Sequence, residues 1–220
     1  MNELFAALAV FLAVHAIPAI RPLRAWLVAL FGETAYVVGF SVISLALVVW
    51  LGFAYVQAPY VEVWPYVPEF RWLTLLLMPL ACILIVAGLS SRNPFSLGTG
   101  ARDFDPARPG IVRITRHPAI WGLALWSAAH IPINGDAASL ILFGLLTLLG
   151  FGGPKSLDAK RKRSLGEDVW HNLAQQVSAA PLGAALGQVG AIRVMLGLAL
   201  YAVLLFLHEP VIGISPLPVW

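Results

Sequence analysis

The sequence predicts an all-α, polytopic membrane protein of about six transmembrane helices, with both termini on the periplasmic side. Three observations carry that prediction. Of the 220 residues, 60% are hydrophobic and 11% charged, and the mean hydropathy is +0.83. A soluble domain carries about 25% charged residues, so too few charges are present to cover a water-facing surface. The apolar residues also come in continuous runs without polar alternation, which fits helices and excludes the strands of a membrane barrel. Finally, the Lys and Arg residues gather in alternate loops.

The runs are residues 4–20, 35–56, 72–89, 118–133, 137–153 and 192–208. Crossing the hydrocarbon takes about 20 helical residues, with about 17 as the lower limit. The second run is comfortably long, whereas the last three need flanking residues or a locally thinner bilayer. The first run lacks a basic start and a small-residue cleavage site, and reads as a retained helix rather than a signal peptide. Pro18 and Pro22 end it. A short interfacial helix follows over residues 22–31, with Gly32 as its stop. A single domain over residues 1–220 accounts for the whole pattern.

Orientation follows from the basic residues. With the N-terminus outside, the inner loops are residues 21–34, 90–117 and 154–191. They hold all of the 14 Lys and Arg residues except Arg193, at the inner edge of the sixth run, and Arg71. The positive-inside rule favours this arrangement. The outer loops carry Glu62, Glu69, Asp136 and Glu209, with Tyr60, Trp64, Tyr66 and Trp220 suited to the headgroup level. The single cysteine, Cys82, excludes an intramolecular disulfide, and no basic water-exposed face suits a nucleic acid.

Several residues within or beside the apolar runs need a reason. His15 lies in the first run, on a helix whose Ala6, Ala9, Ala13 and Ala16 would let a neighbour approach closely. His130 lies late in the fourth run, four residues after Trp126 and so on the same helix face. One histidine in a membrane is readily explained by a bond to a backbone carbonyl. Two on separate helices point to a shared cofactor, and a haem suits histidine nitrogen and an apolar bundle. No carboxylate lies inside the first five runs, which disfavours a histidine–carboxylate metal site.

His117 opens the fourth run in Thr115-Arg116-His117-Pro118. Arg116 and His117 read either as a basic pair at the inner interface or as an anion contact for a haem propionate, a phosphate or a carboxylate. His117 and His130 are about 20 Å apart along a straight helix, so they cannot ligate the same iron. His171 in the basic loop and His208 beside Glu209 read as a solvated residue and a helix-end residue. The loop through Arg92-Asn93-Pro94 and residues 104–110 is turn-rich and is placed to floor a cavity between the helices.

Further short segments share one order and spacing. They are His15 with Ile20-Arg21-Pro22-Leu23-Arg24, then Arg92-Asn93-Pro94, then Gly110-Ile111-Val112-Arg113-Ile114-Thr115-Arg116-His117-Pro118. Next come Trp121-Gly122, Trp126-Ser127-Ala128-Ala129-His130, Asn134-Gly135-Asp136, and a tail of Tyr201, His208 and Gly213-Ile214-Ser215-Pro216. Together they resemble the NnrU family of bacterial membrane proteins and its relatives, the plastid zeta-carotene isomerases. The resemblance implies haem b held by two histidines, whose counterparts are His15 and His130. It also implies an association with nitric oxide and nitrite metabolism in denitrifiers. The isomerase pattern has a cysteine where this sequence has Ser127, so a cysteine thiolate is not available there to exchange with histidine at iron.

Arg116-His117-Pro118 with Gly122 is also similar to the Arg-His-Pro-x-x-x-Gly signature of membrane methyltransferases and sterol reductases. That likeness implies S-adenosylmethionine or NADPH at the cytosolic face. Gly166-Glu167-Asp168-Val169-Trp170 partly matches the Glu-bearing stretch of the methyltransferases. The expectation is a multi-pass protein of the bacterial inner membrane, embedded in lipid, that binds haem b through His15 and His130. Arg116, His117 and Trp126 are its further cofactor contacts. It would act on a hydrophobic small molecule as a redox-gated isomerase or serve a haem-dependent step in nitric oxide metabolism. A methyltransferase or reductase, and a non-enzymatic sensor or assembly factor, are the alternatives.

Overall fold

The computed structural model describes residues 1–217; Trp220, expected at the outer interface, lies outside them. The chain folds as α1 (Asn2–Ala16), a 3-10 turn (Ile17–Ala19), α2 (Arg21–Phe31), α3 (Glu33–Val56), α4 (Phe70–Ser90) and α5 (Ile111–Ile114). It continues as α6 (Pro118–Asn134), α7 (Ala137–Leu165), α8 (Glu167–Ala179), α9 (Leu182–Val189) and α10 (Ala191–Ile212). Among the described residues there is no strand beyond one isolated bridge between Glu62 and Asp136. The helical membrane fold matches the expectation.

Five helices are long and apolar enough to cross a membrane: α1 with its 3-10 extension, α3, α4, α7 and α10. Helix α6, at 17 residues, stands at the lower limit set out above. It nevertheless runs antiparallel beside most of α4. Ala119 meets Gly88 at one end, and Thr74 donates its hydroxyl to the carbonyl of Ala129 at the other, 2.8 Å away. It corresponds to the fourth predicted run, so five of the six expected runs meet the length and hydropathy of a span and α6 falls just short.

The chain divides into two compact units, Met1–Trp64 with Asp136–Leu142, and Pro65–Gly135 with the chain from Phe143 onward. In the first unit α1 packs antiparallel on α3, with Leu4, Ala7 and Leu8 buried. The stripe of Ala6, Ala9, Ala13 and Ala16 is exposed instead. The buried set is displaced around the helix onto Leu4 and Leu8, whose longer side chains make more van der Waals contact with α3 than alanines can. Helix α2 forms as expected, with Pro22 in its first turn and Gly32 at φ +80° as its stop. Arg24 pairs with Glu33 at 2.6 Å and lies over the ring of Tyr36. The start of α7 is capped by Asp136. One carboxylate oxygen accepts the backbone N–H of Ser139 at 3.0 Å, the other accepts the Ser139 hydroxyl, and Tyr55 donates to that hydroxyl oxygen at 2.8 Å.

The second unit is built around α4. Helices α6 and α10 lie antiparallel on it, and α7 runs back along α6. At each seam a glycine replaces a side chain. A Cβ on Gly122 would stand 2.7 Å from the Ala81 carbonyl oxygen, and one on Gly197 would stand 2.6 Å from the Ile83 Cα. A Cβ on Gly150 would stand 2.5 Å from the Ala124 Cβ. Small residues at such seams are how membrane helices gain packing without a hydrophobic driving force. The outward faces are lined by large apolar residues such as Leu76, Leu148, Ile192 and Phe206, each at least 70% exposed, as lipid contact requires.

The inner segments differ from expectation. Residues 154–191 were expected as a loop, yet α7 continues through Pro154 to Leu165, and α8 and α9 follow. The stretch after Pro154 is rich in helix-forming Lys, Arg, Leu and Ala, and no further breaker intervenes before Gly166, at φ +88°. Helix α10 likewise passes His208 and Pro210 to end at Gly213.

Gly122→Ala should lower the thermal midpoint of the detergent-purified protein, at a cost of about 1–3 kcal/mol, because backbone atoms cannot yield to the new methyl. Gly39→Ala in α3, with nothing within 4 Å of its Cβ position, should be neutral or slightly stabilising. Equal behaviour of the two variants in a thermal scan would contradict the seam.

Candidate functional site

His15 occupies the last turn of α1, in the first unit. Its Nδ1–H donates to the carbonyl of Phe11 at 2.8 Å. The imidazole stacks on the Phe11 ring, 4.0 Å between centroids, and meets Phe40 edge-on at 5.6 Å. His130 lies on α6, in the second unit, and is held in the same way. Its Nδ1–H donates to the Trp126 carbonyl at 2.7 Å, with the Trp126 and Phe143 rings 5.7 and 5.1 Å away. A carbonyl can only accept, so Nδ1 must carry the proton in both residues. In the neutral ring Nε2 then keeps its lone pair, and no hydrogen bond engages it among the described residues.

The expected Trp126 contact is therefore part of the His130 environment. Ser127, where the isomerases have cysteine, is fully buried. Its hydroxyl donates to the Ala124 carbonyl at 3.0 Å and accepts from Thr147 at 2.9 Å. His208 was read as a helix-end residue at the outer surface, with a small chance of a role near the site. It is half-buried, with α10 continuing four residues past it, and donates Nδ1–H to the Ile214 carbonyl at 2.8 Å. Among the described residues, no three of His, Cys, Asp and Glu gather into a metal-holding group.

Arg116 and His117 sit about 20 Å from His130 along α6, in a second polar site at the inner end. Its keystone is Asn93, which is buried. The Asn93 side-chain oxygen accepts the backbone N–H of Phe95 at 2.9 Å and of Ser96 at 3.2 Å, and its amide donates to the Arg116 carbonyl at 2.9 Å. The turn-rich loop is thereby tied to the start of α6, where Pro118 occupies the first helical position. From α7, Asp158 accepts hydrogen bonds from Arg116 Nη2 at 3.2 Å and His117 Nε2 at 3.0 Å. Trp170 of α8 is buried against Phe95, and its ring lies under the Arg116 guanidinium at 5.2 Å and the Lys162 ammonium at 4.5 Å. Burial pushes the His117 imidazole below its ordinary value of 6.5, with Asp158 opposing and Arg116 reinforcing the shift.

Asp158 was not singled out in the sequence; Trp170 entered only within the stretch 166–170, and Arg161 only as one of the basic residues of its loop. The signal was present: residues three apart on a helix share a face, and Asp158 with Arg161 is such a pair once α7 is allowed to continue. His171 is exposed and accepts from Lys162, as a solvated residue would.

Fold and sites together define a multi-pass helical membrane protein with histidines held in apolar surroundings and a separate basic site at one end. A family model described as NnrU protein matches residues 3–216, and the chain belongs to the NnrU family. No curated protein and no solved structure matches it significantly.

Two outcomes follow for the inner site. Asn93→Ala strands two buried N–H groups and one carbonyl, and should lower stability by at least about 2 kcal/mol, read as a fall in the thermal midpoint. Because the folded pKa of His117 lies below its unfolded value, the unfolded chain binds more protons in acid. This contribution is fully present above pH 6.5 and is lost as pH falls below it. Midpoints measured across that range should decline less steeply for His117→Gln than for the parent. Parallel pH curves would show that His117 is not the group responsible.

Proposed function

We propose that this NnrU-family protein binds haem b in the membrane, with His15 and His130 each supplying an axial nitrogen through Nε2. One observation carries the reading. Both histidines lie in apolar helices, where an uncompensated ring is costly, and both spend Nδ1–H on the carbonyl one turn back. Metal-ligating histidines are held in this way: the second nitrogen donates to a carbonyl, which sets the tautomer and turns the lone pair outward. The aromatic rings packed around each imidazole suit a flat, apolar macrocycle.

A haem held by two histidines supplies a one-electron couple. The protein's contribution is to orient the rings and exclude water. Ser127 is fully engaged with Ala124 and Thr147, so it is not free to exchange at iron as the isomerases' cysteine does. This favours a haem-dependent redox step over carotene-type isomerisation. The family's association with nitric oxide and nitrite metabolism makes a nitrogen oxide the first substrate class to test.

The test is an absorption spectrum of detergent-purified protein from cells supplied with a haem precursor, oxidised and then dithionite-reduced. The parent should show a sharp Soret band that shifts on reduction, and His15→Ala and His130→Ala should each lose or greatly weaken it. A native band in both variants overturns the ligand assignment. Loss in His208→Ala with retention in His15→Ala would move the second ligand to α10. A folded parent without Soret absorbance, even after haemin addition, would end the haem reading.

A further inference from the structure

Buried polar atoms in native proteins are nearly all hydrogen-bonded, and the exceptions call for a reason. In the second unit such exceptions gather in one neighbourhood: Ser96 Oγ, Arg116 Nε, His117 Nδ1, Arg161 Nε and Trp170 Nε1 are buried with no partner among the described residues. Direct contacts link them. Arg161 donates through Nη2 to the Ser96 carbonyl at 3.1 Å, Arg116 and His117 share Asp158, and Arg116 lies over Trp170. Arg161 follows Asp158 by one turn of α7.

Four of the five orphans are donors: the Nε of each arginine and the indole Nε1 can only donate, and the serine hydroxyl can donate too. The fifth, His117 Nδ1, is an acceptor while Nε2–H is given to Asp158, and stands apart from this set. What completes the four must bring acceptors. Charge points the same way. The carboxylate of Asp158 pairs with Arg116 Nη2 and His117 and leaves both Nε groups unpartnered, while Arg161 is held by a carbonyl and Lys162 by the Trp170 ring. Arginine forks with a nearby lysine are the usual recognition set for phosphate, whose several oxygens accept from separate donors at once. The Arg116 side chain is 40% exposed, which leaves the cluster open to an incoming group.

We propose that Ser96, Arg116, Arg161 and Trp170 form a phosphate-binding site at the inner end of the second unit, distinct from the histidines of the apolar helices. The phosphate comes either from an anionic phospholipid headgroup or from a water-soluble phosphate compound. The site is independent of the haem reading, and neither depends on the other's outcome.

The experiment compares thermal midpoints of the full-length parent, Arg161→Gln and Trp170→Phe. In detergent, sodium phosphate is titrated against sodium chloride at equal ionic strength. In parallel, the proteins are placed in nanodiscs of phosphatidylcholine with and without phosphatidylglycerol. Stabilisation of the parent by inorganic phosphate beyond chloride, lost in both variants, identifies a site for a soluble phosphate. Stabilisation by phosphatidylglycerol alone, again lost in both, identifies a headgroup site. Trp170→Phe removes the indole N–H without changing charge, and each protein's midpoint in chloride serves as its own baseline, so its behaviour separates a built site from general attraction to the basic face. An absence of any parent shift, or equal shifts in parent and Trp170→Phe, overturns the proposal.

Discussion

The second unit depends on how closely α4 can be approached. Two helices reach its backbone on different sides because Gly122 and Gly197 present no side chain, and Gly88 admits Ala119 further along the same seam. In lipid, apolar side chains gain nothing from leaving their solvent, so helix association must come from van der Waals contact and short polar bonds. The bonds found at these seams fit that account. Thr74 reaches the Ala129 carbonyl, and Tyr201 reaches the Leu75 carbonyl at 3.3 Å. Each ties a side chain of one helix to the backbone of the next, which only close approach permits. The short α6 is held in place by this seam, and α6 carries His130 at one end and His117 beside the other.

A second constraint acts where the helices leave the apolar region. Asn93 replaces a stretch of regular structure with three hydrogen bonds from one side chain. It closes its own turn and pins the loop to the Arg116 carbonyl. The loop backbone at this point is buried, and buried backbone groups must find partners. Once they have, Phe95 is fixed against Trp170, and the cationic side chains from α7 and from the start of α6 are brought over that ring. The inner site is thus built by a buried amide and a buried indole, while its charges come from long side chains on the surrounding helices.

These particulars explain what could be read in the sequence. The apolar runs gave the spans because composition alone decides what sits in lipid, and Pro22 with Gly32 gave α2 because each has a distinct backbone role. The alanine stripe of α1 misled, since small residues permit a close approach without requiring one. The basic stretch after Pro154 was read as loop because charge density suggested solvent and the proline suggested a stop, although its residues are good helix formers and no further breaker precedes Gly166. That error hid Asp158. A carboxylate beside several basic residues has no evident task until the helix turns it toward Arg116 and His117. Arg116 and His117 were found because they precede a proline that starts a helix. Their partners were missed because partnership across 40 residues leaves no local trace.

The histidines illustrate how one local rule can leave two outcomes. A histidine in an apolar helix can satisfy itself by donating to the carbonyl four residues back, and both His15 and His130 do so. If self-satisfaction were the whole purpose, a serine or threonine would achieve it at smaller size and with a single polar atom. The imidazole adds a second nitrogen, and that nitrogen carries an unused lone pair inside an apolar region, where an unmet acceptor is a standing cost. His208 repeats the arrangement on α10, with Nδ1–H given to the Ile214 carbonyl. In all three rings the backbone takes Nδ1–H, so any further partner must approach Nε2 and must come as a hydrogen-bond donor or a metal.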